Sequence, residues 1–122
     1  MVTRRLEINI ESRPWGSFST YAENAQATIK TIEVQKGEAL SLQYHRDREE
    51  IWFFVSGIAQ VTLGDETRLE NAGSIIHIPR ETIHRIETVS DVKLVEVSLG
   101  EFDENDIVRL SDRYGRRTVE DS

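Results

Sequence analysis

The chain has 122 residues, no cysteine, 38% hydrophobic residues and a formal net charge of −7. That length and apolar content suit one domain with one core, read as residues 1–122 with the body at about 13–116 and a polar tail at 117–122. The composition excludes disulfides and thiolate metal sites, argues against a nucleic-acid partner, and holds no apolar run near the roughly 18 residues that would span a bilayer. The opening MVTRRLEINIESR lacks a signal-peptide core, so the expected location is the cytoplasm, with no membrane partner.

In chain order, Ile29 to Val34 alternates in the β manner and places Lys30 on the face of Ile32 and Val34. Further strands are expected at Ser41 to Tyr44, Glu50 to Ser56, Ile58 to Leu63, Arg68 to Glu70, Ser74 to Ile78, His84 to Glu87 and Val92 to Leu99. Turn signals separate them at Lys36-Gly37, Ser56-Gly57, Gly64-Asp65, Asn71-Ala72-Gly73 and Ser90-Asp91. Strands recurring roughly every 8–12 residues indicate an all-β sandwich or barrel. Asp103 to Leu110 reads as a short C-terminal helix, and the polar tail is expected to fray.

Two blocks carry chemistry. In GEALSLQYHRDREEIWFFVSG, Gly37 is followed by Gln43, His45, Glu50 and Gly57; in GSIIHIPRETIHRIET, Gly73 is followed by Pro79 and His84. Gln43, His45, Glu50 and His84 together offer two imidazole nitrogens and two oxygens to one divalent cation. Such a set suits zinc and its first-row neighbours and does not choose among cobalt, manganese, nickel or iron. Gln43 and His45, two apart, face the same way on one strand. Glu50 shares its face with Trp52 and Phe54, where an acid is costly unless it is paired or bound to a metal. A salt bridge to an arginine is the competing explanation for Glu50. His77, between Ile76 and Ile78, points away from them and reads as structural or surface.

Lys30 either snorkels to solvent or, if it points into a barrel, holds a substrate oxygen or shuttles a proton. Arg13, Arg46, Arg48, Arg80, Arg85 and Arg109 are candidates for gripping an anionic group.

The two blocks resemble the paired motifs of the cupin superfamily, with Gln43 in place of the usual first histidine. RPWGSF at 13–18, SLQYHRDREEIW at 41–52, IPRETIHRIE at 78–87 and DIVRLSDRYGR at 106–116 sharpen the match. They resemble the type II mannose-6-phosphate isomerase domain, the C-terminal part of bifunctional isomerase and guanylyltransferase enzymes.

The resemblance implies a double-stranded β-helix, a jelly-roll barrel, with the metal inside. It implies interconversion of mannose 6-phosphate and fructose 6-phosphate through an enediolate, with a divalent metal, zinc first, on the substrate oxygens. It carries Gln43, His45, Glu50 and His84 over as metal positions. Lys30 and Glu96 follow as candidate proton shuttles, and Arg13, Trp15, Arg48, Arg85 and Arg109 as candidate substrate contacts. The chain departs from the family at Arg46, Asp47 and Ile51, where further histidines are common, and at Ser98, where glutamine is usual. Glu81 stands where the superfamily favours glycine, and Thr88 where asparagine is common.

A cupin that binds a sugar phosphate without turning it over is the main rival. A cupin dioxygenase would need redox-active iron, nickel or copper, and a metal-free epimerase would not need the ligand set. The nucleotidyltransferase half is expected to be absent, so a separate nucleotidyltransferase is a conceivable partner. A homodimer paired through outer strands is expected.

Overall fold

The computed structural model describes residues 8–116; residues 1–7 and the expected polar tail at 117–122 lie outside the described residues. The elements are eleven strands: β1 (Asn9–Arg13), β2 (Gly16–Thr20), β3 (Ala27–Val34), β4 (Leu42–Tyr44), β5 (Arg48–Ser56), β6 (Ala59–Leu63), β7 (Glu66–Glu70), β8 (Ile75–Ile78), β9 (His84–Thr88), β10 (Val92–Gly100) and β11 (Val108–Ser111). All pairings are antiparallel. One sheet runs β3-β10-β5-β8, a second runs β11-β4-β9-β6-β7, and β1 and β2 form a separate hairpin.

The two larger sheets pack on one another through alternating inner faces, although Ile51 on the opposite face of β5 is buried as well. On β5 the inward residues are Arg48, Glu50, Trp52 and Phe54; on β10 they are Val92, Leu94, Glu96 and Ser98. Phe54, Ile76, Val92 and Leu94 from the first sheet share one core cluster with Ala59, Val61 and Ile86 from the second. Burying each such large side chain contributes about 1.5–3 kcal/mol.

The interior is graded along the strands. Register sets Leu94 beside Phe54 and Ile32, then Glu96 beside Trp52 and Lys30, then Ser98 beside Glu50 and Thr28. One end of the barrel is therefore apolar, and the other gathers Glu50, Glu96, Ser98, His45, His84 and Arg48, all buried.

Gly57 shows why its turn requires glycine. It lies at φ 93°, and a Cβ there would stand 2.0 Å from the carbonyl oxygen of Asp91. The turn between β5 and β6 thus packs directly against the one leading into β10.

The expected short C-terminal helix is not present. Asp103–Leu110 is a turn at 104–105 followed by the start of β11. The three-residue β4 needs a partner on its outer edge, and β11 supplies it through Val108↔Tyr44 and Arg109↔Gln43. Asp103 accepts from the backbone N–H of Asn105 within the turn, and Asp106 from those of Arg46 and Asp47. Among the described residues no helix is long and apolar enough to cross a membrane.

A candidate metal centre at the polar end of the barrel

His45 follows β4, Glu50 sits near the start of β5, and His84 opens β9. His84 pairs with Gln43 across the β4–β9 ladder, so these two share a face. Three donor atoms converge: His45 Nε2 stands 3.3 Å and His84 Nε2 3.5 Å from Glu50 Oε1. The three residues are 4%, 1% and 1% exposed, respectively for His45, His84 and Glu50. Donors at tetrahedral angles about 2.1 Å from a zinc ion stand about 3.4 Å from one another, so the spacing fits.

A second observation supports that fit. His84 Nε2 and Glu50 Oε1 are buried and have no hydrogen-bond partner within the protein. Buried polar atoms are nearly always satisfied, and a cation between them would satisfy both. Arg48, the salt-bridge alternative, is also present: its Nε is 3.6 Å from Glu50 Oε2. It engages the other carboxylate oxygen, and its Nη2 lies 3.4 Å from His45 Nε2, but it does nothing for His84. The arginine pair therefore accompanies the cluster rather than explaining it. His45, Glu50 and His84 can hold a metal.

Both ring orientations are fixed by carbonyls. His84 Nδ1 lies 2.8 Å from the carbonyl oxygen of Thr82, and His45 Nδ1 lies 2.7 Å from that of Asp106. A carbonyl only accepts, so each Nδ1 carries the proton and each Nε2 presents its lone pair inward.

The electrostatics suit a cation. Burial pushes the His84 imidazole down to about 4, against the pull of Glu50. Burial alone would raise Glu50, but its close polar neighbours, His45 and Glu96 foremost, bring it down to about 2. Glu96 is pushed up to about 7, first by burial and then by the charge of Glu50. Near neutral pH the centre thus offers a neutral His84, an ionised Glu50 and a partly protonated Glu96, so His84 and Glu50 are already deprotonated for a metal.

Ser98, missed as a site residue by the sequence, bridges the two acids. Its hydroxyl lies 3.2 Å from Glu50 Oε2 and 3.3 Å from Glu96 Oε1. The glutamine usual at that position marked it only as a departure.

The remaining candidates are spread more widely. Gln43 is half-buried, and its Oε1 accepts a bond from Ser41 Oγ at 2.7 Å. Arg109 pairs with Gln43 in register and so shares its face. Lys30 shares the inward face of Glu96 yet is exposed at the barrel end, its Nζ 4.3 Å from the Phe102 ring centre. Arg48 lies 4.5 Å from the same ring. Phe102 thus lies against two of the candidate substrate cations, and nothing in its local sequence signals this.

Arg85 reaches away from the cluster, donating from Nε to the Leu40 carbonyl at 3.1 Å. Arg13 and Trp15 are on the β1–β2 hairpin; Arg13 is 4.9 Å from the Phe18 ring centre, and Trp15, 72% exposed, stacks on that ring at 6.5 Å. The structure does not gather Arg13, Trp15 and Arg85 around the donor cluster. His77 lies off the site, 3.0 Å from Glu49.

The family model described as mannose-6-phosphate isomerase C-terminal matches residues 5–112. The chain belongs to this family. A mannose-1-phosphate guanylyltransferase 2 of Escherichia coli O157:H7 is 41% identical over 105 residues, covering 84% of this chain and 22% of the relative. The alginate biosynthesis protein AlgA of Pseudomonas aeruginosa is 41% identical over 107 residues, covering 85% and 22%. The chain thus spans about a fifth of the length of the curated relatives it matches. A cupin protein from Bacteroides fragilis shares the fold at 18% identity, with a TM-score of 0.57 over 66% of this chain and 74% of that one. The isomerase C-terminal family and the cupin barrel, both expected from the motifs, are what the chain shows.

Proposed function

We propose that the chain is a metal-dependent mannose-6-phosphate isomerase, interconverting mannose 6-phosphate and fructose 6-phosphate. The observation that carries the reading is the convergence of His45 Nε2, His84 Nε2 and Glu50 Oε1 beside the buried Glu96, in a chain of this family. His45, Glu50 and His84 would hold the cation, with Gln43 on the same face as a fourth candidate. Zinc or another first-row ion, when bound, polarises the adjacent sugar oxygens where negative charge grows.

The chain's own residues would do the rest. The reaction moves one proton from C2 to C1 and another from O2 to O1, so that the C1 aldehyde becomes an alcohol and the C2 alcohol a ketone. Glu96, with a carboxyl near pH 7, suits both halves: ionised it takes the C2 proton, and protonated it returns that proton to C1. Ser98 holds Glu96 close to Glu50. Lys30, Arg48 and Arg109 are the cations best placed by register and face to grip the phosphate. Arg13, Trp15 and Arg85 are weaker candidates on the same grounds.

The binding-only alternative draws on Phe102, which lies against both Lys30 and Arg48 and would have to yield for them to reach a phosphate. One assay separates the readings: conversion of mannose 6-phosphate with zinc, cobalt, manganese and nickel added back in turn. Metal-dependent turnover, abolished in Glu96→Gln while metal is retained, supports the isomerase. Bound metal and bound sugar phosphate without turnover supports the binding module.

A further inference from the structure

Between β10 and β11 the chain crosses the polar end of the barrel, and Asp106 ties that crossing to the turn between β4 and β5. Its Oδ1 accepts from the backbone N–H of Arg46 at 2.8 Å and its Oδ2 from that of Asp47 at 3.0 Å. Its own carbonyl faces His45 Nδ1 at 2.7 Å. Three acceptors of one residue thus engage three consecutive residues, 61 to 59 positions away in sequence. Arg48 ties the same crossing a second time, donating from Nη1 to the Asp103 carbonyl at 3.0 Å.

We propose that Asp106 is a positioning residue that selects the Nδ1–H tautomer of His45 and so turns its Nε2 lone pair toward Glu50 Oε1. The carboxylate anchors the turn, and the anchored turn aims the carbonyl. His84 obtains the same tautomer locally, from Thr82 two residues earlier. His45 takes its Nδ1 acceptor from the far end of the chain, while Arg48 Nη2, 3.4 Å from its Nε2, donates toward the other ring nitrogen and favours the same tautomer. The two Asp106 oxygens accept from consecutive amides, which an uncharged amide side chain cannot reproduce, since its NH2 would face an N–H.

The consequence for metal affinity rests on the metal reading above, but the tautomer itself does not. The test is nitrogen-15 imidazole NMR of the full chain, metal-free and at pH 8, followed by titration with zinc alone. The wild type should show His45 protonated at Nδ1 and bare at Nε2. Asp106→Ala should move His45 toward the Nε2–H form while His84 stays as it was, and zinc should bind 10- to 100-fold more weakly. Asp106→Asn, which keeps the volume, should shift His45 the same way in part and serves if Asp106→Ala does not fold. A staple without a positioning role would weaken the fold and leave the His45 tautomer unmoved in both variants, which overturns the proposal. Wild-type protein with the Nε2–H form of His45 overturns it too. A tautomer shift in the variants, with a wild type that fails to bind zinc, would uphold the positioning role and remove the metal reading instead.

Discussion

Glu96→Gln gives the sharpest physical test of the polar interior. Glu96 is 8% exposed, faces Glu50 across Ser98, and is raised from 4.5 to about 7 by burial and by the neighbouring charge. A raised folded-state pKa contributes stability that is fully present below the unfolded value near 4.5 and is lost as pH rises through about 7. At about 1.4 kcal/mol per pKa unit, the loss by pH 8 is about 3 kcal/mol. Glutamine keeps the shape and the hydrogen bond of the protonated acid but never ionises. The variant should therefore match the wild type at pH 4.5 and exceed it by about 3 kcal/mol at pH 8. In a domain of this size that is about 12 °C in Tm. Urea unfolding of both proteins at the two pH values, with chelator present throughout, reads the difference. Because every other titrating group is common to both proteins, the change in their difference isolates Glu96. Equal stability at both pH values would refute a buried, proton-holding Glu96 and with it the proton shuttle.

Three further outcomes follow from particular residues. Metal-free wild type should lose stability as pH falls from 6.5 toward 4, because His84 is held neutral in the fold at about 4; replacing His84 with an uncharged residue should flatten that limb of the urea-derived profile. Glu81, at φ 60°, occupies the left-handed region, so Glu81→Gly should raise stability by about 1 kcal/mol, whereas Glu81→Ala should not. Gly57→Ala should cost about 2–3 kcal/mol in the same assay, since its methyl would meet the Asp91 carbonyl.

Much of the barrel was legible because its inner face obeys period two. Strands β3 to β10 fall where alternation and turn residues place them, within a residue or two at most ends. The β1–β2 hairpin was not legible: Ser12, Ser17 and Ser19 dilute its alternation, and its contacts are largely its own. The missing helix has a different cause. Asp103, Glu104 and Asp106 mimic an acidic first turn, but Asp106 is committed to the amides of Arg46 and Asp47, and the edge of β4 claims Val108 and Arg109 as strand. Tertiary contacts override local preference there.

At the site, the spacing of the two blocks pointed to His45, Glu50 and His84 as one donor set, and the structure gathers them. Spacing could not give depth of burial. Lys30 has the expected face but sits on β3, the edge strand of its sheet, and is exposed, while Glu96, its register partner on the interior strand β10, is buried. Nor could it reveal Ser98, Phe102 or Asp106 as neighbours of the donors, because each arrives from β10 or the crossing beyond it. Glu81 shows the reverse: a departure from the glycine favoured in the superfamily became meaningful once its positive φ was visible.

The most direct measurement is calorimetric titration of the chelator-stripped protein with zinc, alongside Glu50→Gln and His84→Ala. One zinc per wild-type chain, with binding lost or weakened by orders of magnitude in both variants, is the predicted result. Wild-type protein that takes up no zinc or other first-row ion, or variants that bind as tightly as the wild type, would contradict the metal centre and the isomerase built on it.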